Sequence, residues 1–214
     1  MQKVRIVPAL LTDSAESLAN MVDIANGFAE FVQIDIMDGQ FVPSSSTSSD
    51  DLKGLDIRFA WEAHLMVVDP LNYLEQFRDV GASRIIFHFE SNDDPAEVIA
   101  LARRLGVGIG VALNPDTSVE AARAVLPEVD SVLLMSVYPG YYGASFVPEV
   151  VDKIELVRQS FPGLEIGMDG GIKPENLVEV ARKGVDTVCV GSAIFMAKDP
   201  ADSYRRLSLL AAQV

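Results

Sequence analysis

Eight short runs rich in β-branched and other apolar residues, spaced fairly evenly along 214 residues, constrain this chain more than any other feature. They fall at residues 4–10, 31–37, 59–66, 84–89, 108–113, 131–137, 165–168 and 187–190. Most are apolar nearly throughout, as strands covered on both faces are, because neither face meets water. Helix-like segments lie between them, at 13–26, 71–80, 95–105, 118–126, 148–160, 174–183 and 200–212. Proline stands at or near several of their starts and glycine closes several ends, where a missing N–H or a left-handed backbone costs least. Such alternation predicts an α/β fold with a parallel sheet. Eight strands in so short a chain leave little room for insertions, so one TIM-type (β/α)8 barrel domain over residues 1–214 is expected. A doubly wound open sheet fits less well. It would carry a Gly-x-Gly-x-x-Gly turn after the first strand, where Pro8-Ala-Leu-Leu-Thr12 stands instead.

Charge narrows the partners. With Lys+Arg 17 against Asp+Glu 31, the net charge is −14. A surface of that sign repels nucleic-acid backbones and anionic membranes, so neither is an expected partner. An anionic substrate would need a locally positive pocket made by backbone N–H groups or a metal. The sole cysteine, Cys189, excludes an intrachain disulfide and fits a reducing cytoplasm. Its apolar neighbours, in Thr187-Val-Cys-Val190, mark it as a buried structural thiol. Met1-Gln-Lys-Val-Arg-Ile6 runs directly into the first strand without the apolar core of a leader peptide. No apolar stretch reaches the roughly 18 residues that span a bilayer.

Polar groups at the C-terminal ends of apolar strands are where a barrel of this kind keeps its site. Alternation puts Gln33, Asp35 and Met37 on one face of the second strand. A carboxylate inside a parallel strand is costly unless paired, hydrogen-bonded or metal-bound, which makes Asp35 a functional candidate. The third strand ends with His64 and Met66 on one face, and the seventh with Asp169 before a glycine turn. Asp35, His64 and Asp169 would thus face one mouth. Asp38 reads instead as a turn cap, and His88 as a structural or supporting histidine. Met37, Met66 and Met135 hold comparable strand-end positions and could form an apolar ceiling over the site.

Three glycine-bearing turns follow late strands: Pro139-Gly-Tyr-Tyr-Gly143, Asp169-Gly-Gly-Ile172 and Val190-Gly-Ser-Ala-Ile194. Glycine lets backbone N–H groups approach an anion closely, and the loops after strands seven and eight are the usual phosphate grip of such barrels. Gly140, Gly143, Gly170, Gly171, Gly191 and Ser192 are therefore candidate phosphate-binding residues. The polar stretch from Ser44 to Asp51 reads as a flexible loop, with an active-site lid as the alternative.

These motifs, in this order, resemble the ribulose-phosphate 3-epimerase family. Val32-Gln-Ile-Asp-Ile-Met-Asp-Gly-Gln-Phe-Val-Pro43 is similar to its H-V-D-V-M-D-G-H-F-V-P-N signature. Ala63-His-Leu-Met66, Val137-Tyr-Pro-Gly140, Met168-Asp-Gly-Gly-Ile172 and Gly191-Ser-Ala-Ile-Phe195 extend the likeness over essentially the whole chain. The resemblance implies a TIM barrel of the ribulose-phosphate-binding type. It also implies inversion at C3 of a ketose phosphate, such as ribulose 5-phosphate to xylulose 5-phosphate, through a metal-stabilised enediolate. By the same resemblance Asp35 and Asp169 are the acid/base pair. Asp35, His64 and Asp169 are metal ligands, with Gln33 in the place of a further histidine ligand. Met37, Met66 and Met135 lie near the enediolate. A homo-oligomer is implied too. The implied cofactor is a divalent ion (Mn, Fe, Zn, Co or Mg).

This chain departs from the pattern at named positions. Gln33 and Gln40 replace histidines, Ala9 a serine, Ser44 an asparagine and Tyr142 a glycine. With Gln33, the ligand set is one imidazole, two carboxylates and at best an amide oxygen, which suits Mn, Mg or Fe better than Zn. The eroded set leaves a second reading open, a non-catalytic or regulatory sugar-phosphate binder. A third, a decarboxylase or aldol-type lyase in a related barrel, would need an Asp-x-Lys-x-x-Asp strand, and Asp35-Ile-Met-Asp38 holds no lysine.

Overall fold

In a computed structural model that describes residues 4–140 and 144–213, the eight runs form one closed parallel barrel with the strands in chain order. The strands are β1 (Arg5–Leu10), β2 (Phe31–Met37), β3 (Ala60–Met66), β4 (Arg84–His88), β5 (Gly108–Leu113), β6 (Ser131–Met135), β7 (Glu165–Asp169) and β8 (Thr187–Val190). The helices are α1 (Ala15–Ala25), α2 (Ser49–Leu52), α3 (Leu74–Asp79), α4 (Pro95–Leu105), α5 (Val151–Ser160), α6 (Pro174–Arg182), α7 (Ser192–Phe195) and α8 (Pro200–Ala211). Among the described residues no helix is long and apolar enough to cross a membrane.

Helix α4 shows how local sequence sets the elements. Pro95 opens it, the Asp94 carboxylate accepts from the Ala96 N–H, and Gly106 closes it at φ 71°. Its Val98, Ile99 and Ala102 turn inward onto the barrel. Helix α1 begins later than the expected segment 13–26: Ser14 caps it by accepting from the Ser17 N–H.

Period-two alternation divides the strand residues between two cores. Outward residues such as Ile34, Leu65, Phe87, Val111 and Leu134 pack under the helices. Inward residues Val7, Ala9, Ile86, Ala112, Leu133, Met135 and Cys189 fill the barrel. Below them lies an ionic layer that the sequence reading passed over. Arg84 Nε donates to Glu62 Oε2 at 2.6 Å and Arg84 Nη1 to Glu165 Oε1 at 2.9 Å. Glu62 is buried, and burial raises its pKa even against the neighbouring guanidinium.

Two expectations are overturned. Residues 118–126 do not form an α-helix. They make successive tight turns, with Ala121, Arg123 and Val125 N–H groups bonding three residues back, and lead into a 3₁₀ turn at Leu126–Glu128. Val119, Ala122 and Leu126 still bury at helix-like spacing, but the segment is short and Pro127 ends it. The serine-rich stretch is folded rather than a loose loop. Ser45 bridges Asp38, and the Ser46 hydroxyl donates to the Asp35 carbonyl at 2.9 Å while accepting from the Met37 N–H at 2.9 Å. Asp51 then caps α2 by accepting from the Ser48 N–H at 2.7 Å. Low complexity hid the bonds of Ser45 and Ser46 because their partners lie outside the stretch, on β2 and the turn that follows it.

Candidate active site

The C-terminal mouth of the barrel holds a cavity of about 420 Å³. Strand register brings its polar floor together: Asp35 pairs with His64 across β2 and β3, and Met135 with Asp169 across β6 and β7. Asp35, His64 and Asp169 offer ligand atoms that all lie within 4.8 Å of one another, a group that could hold a metal. Met37, Met66 and Met135 line the same cavity, as do Ala9, Gly140, Gly170, Gly171, Gly191 and Ser192. Gly143 and Tyr142 lie outside the described residues. Asp38 sits apart from the trio as a turn cap, its carboxylate accepting from the N–H groups of Gln40, Phe41 and Val68.

The carboxylates stand in a dense hydrogen-bond network. Gln33, fully buried, sends its amide nitrogen to Asp35 Oδ1 at 2.8 Å and to Asp169 Oδ2 at 2.7 Å. The Cys189 thiol donates to Gln33 Oε1 at 3.0 Å. His64 Nδ1 lies 3.0 Å from Asp35 Oδ1 and 3.5 Å from Asp169 Oδ2. Its Nε2 lies 3.0 Å from His88 Nε2, and His88 Nδ1 is 3.3 Å from Glu90. Glu90 also accepts from the Asn114 N–H and the Thr117 hydroxyl.

Burial and charge set the protonation states. Burial opposes charge on His64, but the bond to Asp35 and the charges of Asp35, Asp169 and Glu62 outweigh it and raise the imidazole pKa. Burial, with the charge of His64 beside it, drives His88 down to about 4, so that ring is neutral. Burial and the charge of Asp35 push Asp169 up to about 7. Near neutral pH Asp169 can therefore gain or lose a proton, which its ordinary carboxyl pKa would not allow.

The donor set decides how a metal fits. A cation takes lone pairs, and the fourth group at this centre presents N–H bonds, one to an oxygen of each carboxylate, and no lone pair. Turning the amide over would set its oxygen against two carboxylates and its nitrogen against the thiol. As folded, the set does not fit a metal, although the trio alone would.

Two contributors went unseen in the sequence. Cys189 looked like core filler, yet it lines the cavity and orients Gln33. Lys173 is, among the described residues, the one lysine or arginine in the cavity wall, beside the Gly170–Gly171 turn. A cation directly after Asp169-Gly-Gly-Ile172 in so acidic a chain was the signal for it.

Gly170 fixes that turn. Its φ is 108°, and a Cβ there would collide with Val137 Cγ2. Gly170→Ala is expected to cost about 2–4 kcal/mol from backbone strain and overpacking, read as a lower denaturant midpoint at unchanged m-value.

Residues 5–195 match the model of the ribulose-phosphate 3 epimerase family. The chain is 33% identical over 221 residues to a ribulose-phosphate 3-epimerase of Schizosaccharomyces pombe, covering 100% of this chain and 97% of the relative. A ribulose-phosphate 3-epimerase of Aquifex aeolicus is 37% identical over 190 residues, 86% of each chain. In fold it is similar to 3-hexulose-6-phosphate synthase from Salmonella typhimurium, with TM-score 0.74 at 18% identity over 98% of this chain and 99% of that one.

Proposed function

Because this chain belongs to the ribulose-phosphate 3-epimerase family, we propose that it inverts C3 of a ketose phosphate such as ribulose 5-phosphate, giving xylulose 5-phosphate. The observation that carries the reading is the close pair of carboxylates, Asp35 and Asp169, one of them pushed up to about 7, at the floor of a sugar-sized cavity. They rise from β2 and β7, which are not neighbours in the barrel, and so approach the cavity from different strands. In this reading the ionised carboxylate takes the C3 proton. The electron pair moves toward the C2 carbonyl oxygen as an enediolate, and the protonated partner returns a proton to the other face. His64, whose pKa is raised beneath the pair, can carry a positive charge that offsets the developing negative one. Met37, Met66 and Met135 keep water from the planar intermediate.

A divalent cation at Asp35, His64 and Asp169 would act as a Lewis acid on the substrate oxygens. With the Gln33 amide as it lies none fits, and the proton transfers run on the chain's own groups. The phosphate would rest on the Gly140, Gly170–Gly171 and Gly191–Ser192 turns, and Gly143 belongs to the same proposed grip. Lys173 supplies the counter-charge. Lys173→Ala is expected to raise KM about 10- to 100-fold, the worth of a hydrogen bond to a charged group, with kcat little changed in steady-state kinetics. The lone thiol and the phosphorylated substrate favour the cytoplasm as the place of action. A homo-oligomer of one-domain protomers is part of the same reading.

The deciding experiment follows C3–H exchange of ribulose 5-phosphate in deuterated water by NMR. Exchange accompanied by formation of xylulose 5-phosphate is the expected result. No exchange by folded protein, with or without added divalent metal, would overturn the assignment in favour of another ketose phosphate or a binding role.

A further inference from the structure

We propose that Gln33 is an internal substitute for a metal ion, its carboxamide NH₂ bridging Asp35 and Asp169 so that the acid/base pair is assembled without a cation. Four observations carry this. The nitrogen reaches both carboxylates, at 2.8 and 2.7 Å, and lies 3.4 Å from His64 Nδ1, so it sits among the three groups that would otherwise converge on an ion. An amide nitrogen has two N–H bonds and no available lone pair, so it can satisfy two carboxylates but cannot ligate. The Cys189 thiol on Oε1 fixes which end of the amide faces the carboxylates. Finally, Gln33 is fully buried with both ends of its amide bonded, so turning it to offer an oxygen to a cation would leave its N–H bonds without these partners.

The substitution keeps two functions of a cation and gives up a third. Both carboxylate oxygens stay close together, and their mutual repulsion is relieved by donors from one group. The positive charge of an ion is lost, and His64, 3.0 Å from Asp35, is the remaining basic group at the centre. Gln33 is therefore a positioning residue, acting through Asp35 and Asp169 rather than on substrate.

The test reads metal binding first, independent of catalysis. Chelator-treated protein is titrated with Mn(II) and followed by electron paramagnetic resonance, for the unaltered chain, Gln33→His and Gln33→Leu. The expected result is no site in the unaltered protein at concentrations that saturate Gln33→His, and binding about 100-fold tighter in Gln33→His. Gln33→Leu, which removes the N–H donors without adding a ligand, is expected to bind more tightly than the unaltered chain. One equivalent of Mn(II) held by the unaltered protein and released by Asp169→Asn would overturn the proposal, and that arm stands even if neither Gln33 variant folds. The activity arm rests on the epimerase reading: C3 exchange should survive chelator in the unaltered protein and become metal-dependent in Gln33→His. Exchange that vanishes with chelator and returns with metal in the unaltered protein also overturns it. Absence of exchange under every condition counts against the epimerase reading alone, because the Mn(II) titration still decides the role of Gln33.

Discussion

Asp35→Asn and Asp169→Asn are each expected to lower kcat/KM for epimerisation by about 10³- to 10⁴-fold, the upper range for removing a positioned acid or base. Asparagine keeps the size of the side chain and can still accept from the Gln33 amide, so the loss reports proton transfer rather than packing. Inversion needs both faces of C3, whereas exchange needs one. Each variant should therefore retain slow exchange of one epimer, the one whose C3–H faces the surviving carboxylate, and none of the other. Equal exchange of both epimers in either variant would show that a single base serves both faces. The Asp169 variant has a second signature. A carboxyl whose folded pKa is raised from 3.8 to about 7 binds its proton more tightly in the folded state. Stability tied to that proton is fully present below about pH 4 and is lost as pH rises through 7. The asparagine of Asp169→Asn cannot ionise, so the variant is expected to be more stable than the unaltered protein at pH 8, by about 2–4 kcal/mol. That gain should disappear near pH 4, as compared by denaturant unfolding at the two pH values. An inactive variant that is more stable at pH 8 would separate the needs of the chemistry from those of the fold.

Arg84→Met is expected to destabilise the barrel by about 3–5 kcal/mol near neutral pH, with the cavity at the other end unchanged in composition. Arg84 is the partner of Glu62, whose side chain is 2% exposed, and it also joins Glu165. Removing the guanidinium strands a carboxylate in the barrel interior, while Glu165 is partly exposed and keeps Arg5 within 3.7 Å. Burial already raises the Glu62 pKa in the intact pair, and losing Arg84 raises it further. The deficit should therefore be largest at neutral and alkaline pH and shrink as Glu62 takes up a proton on acidification. Adding Glu62→Gln to Arg84→Met should recover most of the loss at neutral pH, because a neutral amide costs far less to bury than a charge. A deficit independent of pH, or a double variant no better than the single, would mean that Arg84 acts through packing on Phe31, whose ring lies 5.5 Å from its guanidinium carbon.

The order of residues alone sufficed for the barrel and for which strand-end carboxylates and imidazole meet at its mouth. Eight apolar runs alternating with amphipathic segments have few closed solutions, and β2, β5 and β8 appear with the bounds that their residues suggest. Asp35, His64 and Asp169 were legible because a polar residue at the end of an apolar strand has few structural excuses, and the fold brings all three to one mouth. Where local bonds compete with pattern, the sequence misled: residues 118–126 carry helical spacing yet make turns, and the serine stretch folds through side-chain bonds that its composition does not advertise. What each polar group faces was settled by closure of the barrel. Gln33 could have offered an oxygen or a nitrogen to the centre. Which end it offers depends on Cys189, 156 residues away, and on two carboxylates from strands that are not neighbours. Likewise Glu62 reads as one more strand residue until the closed sheet sets Arg84 against it. Periodicity fixes which face of a strand a side chain takes, because that is a local property of the backbone. Hydrogen-bond direction and the pairing of buried charges are settled only when distant strands meet, because they are properties of pairs and not of positions.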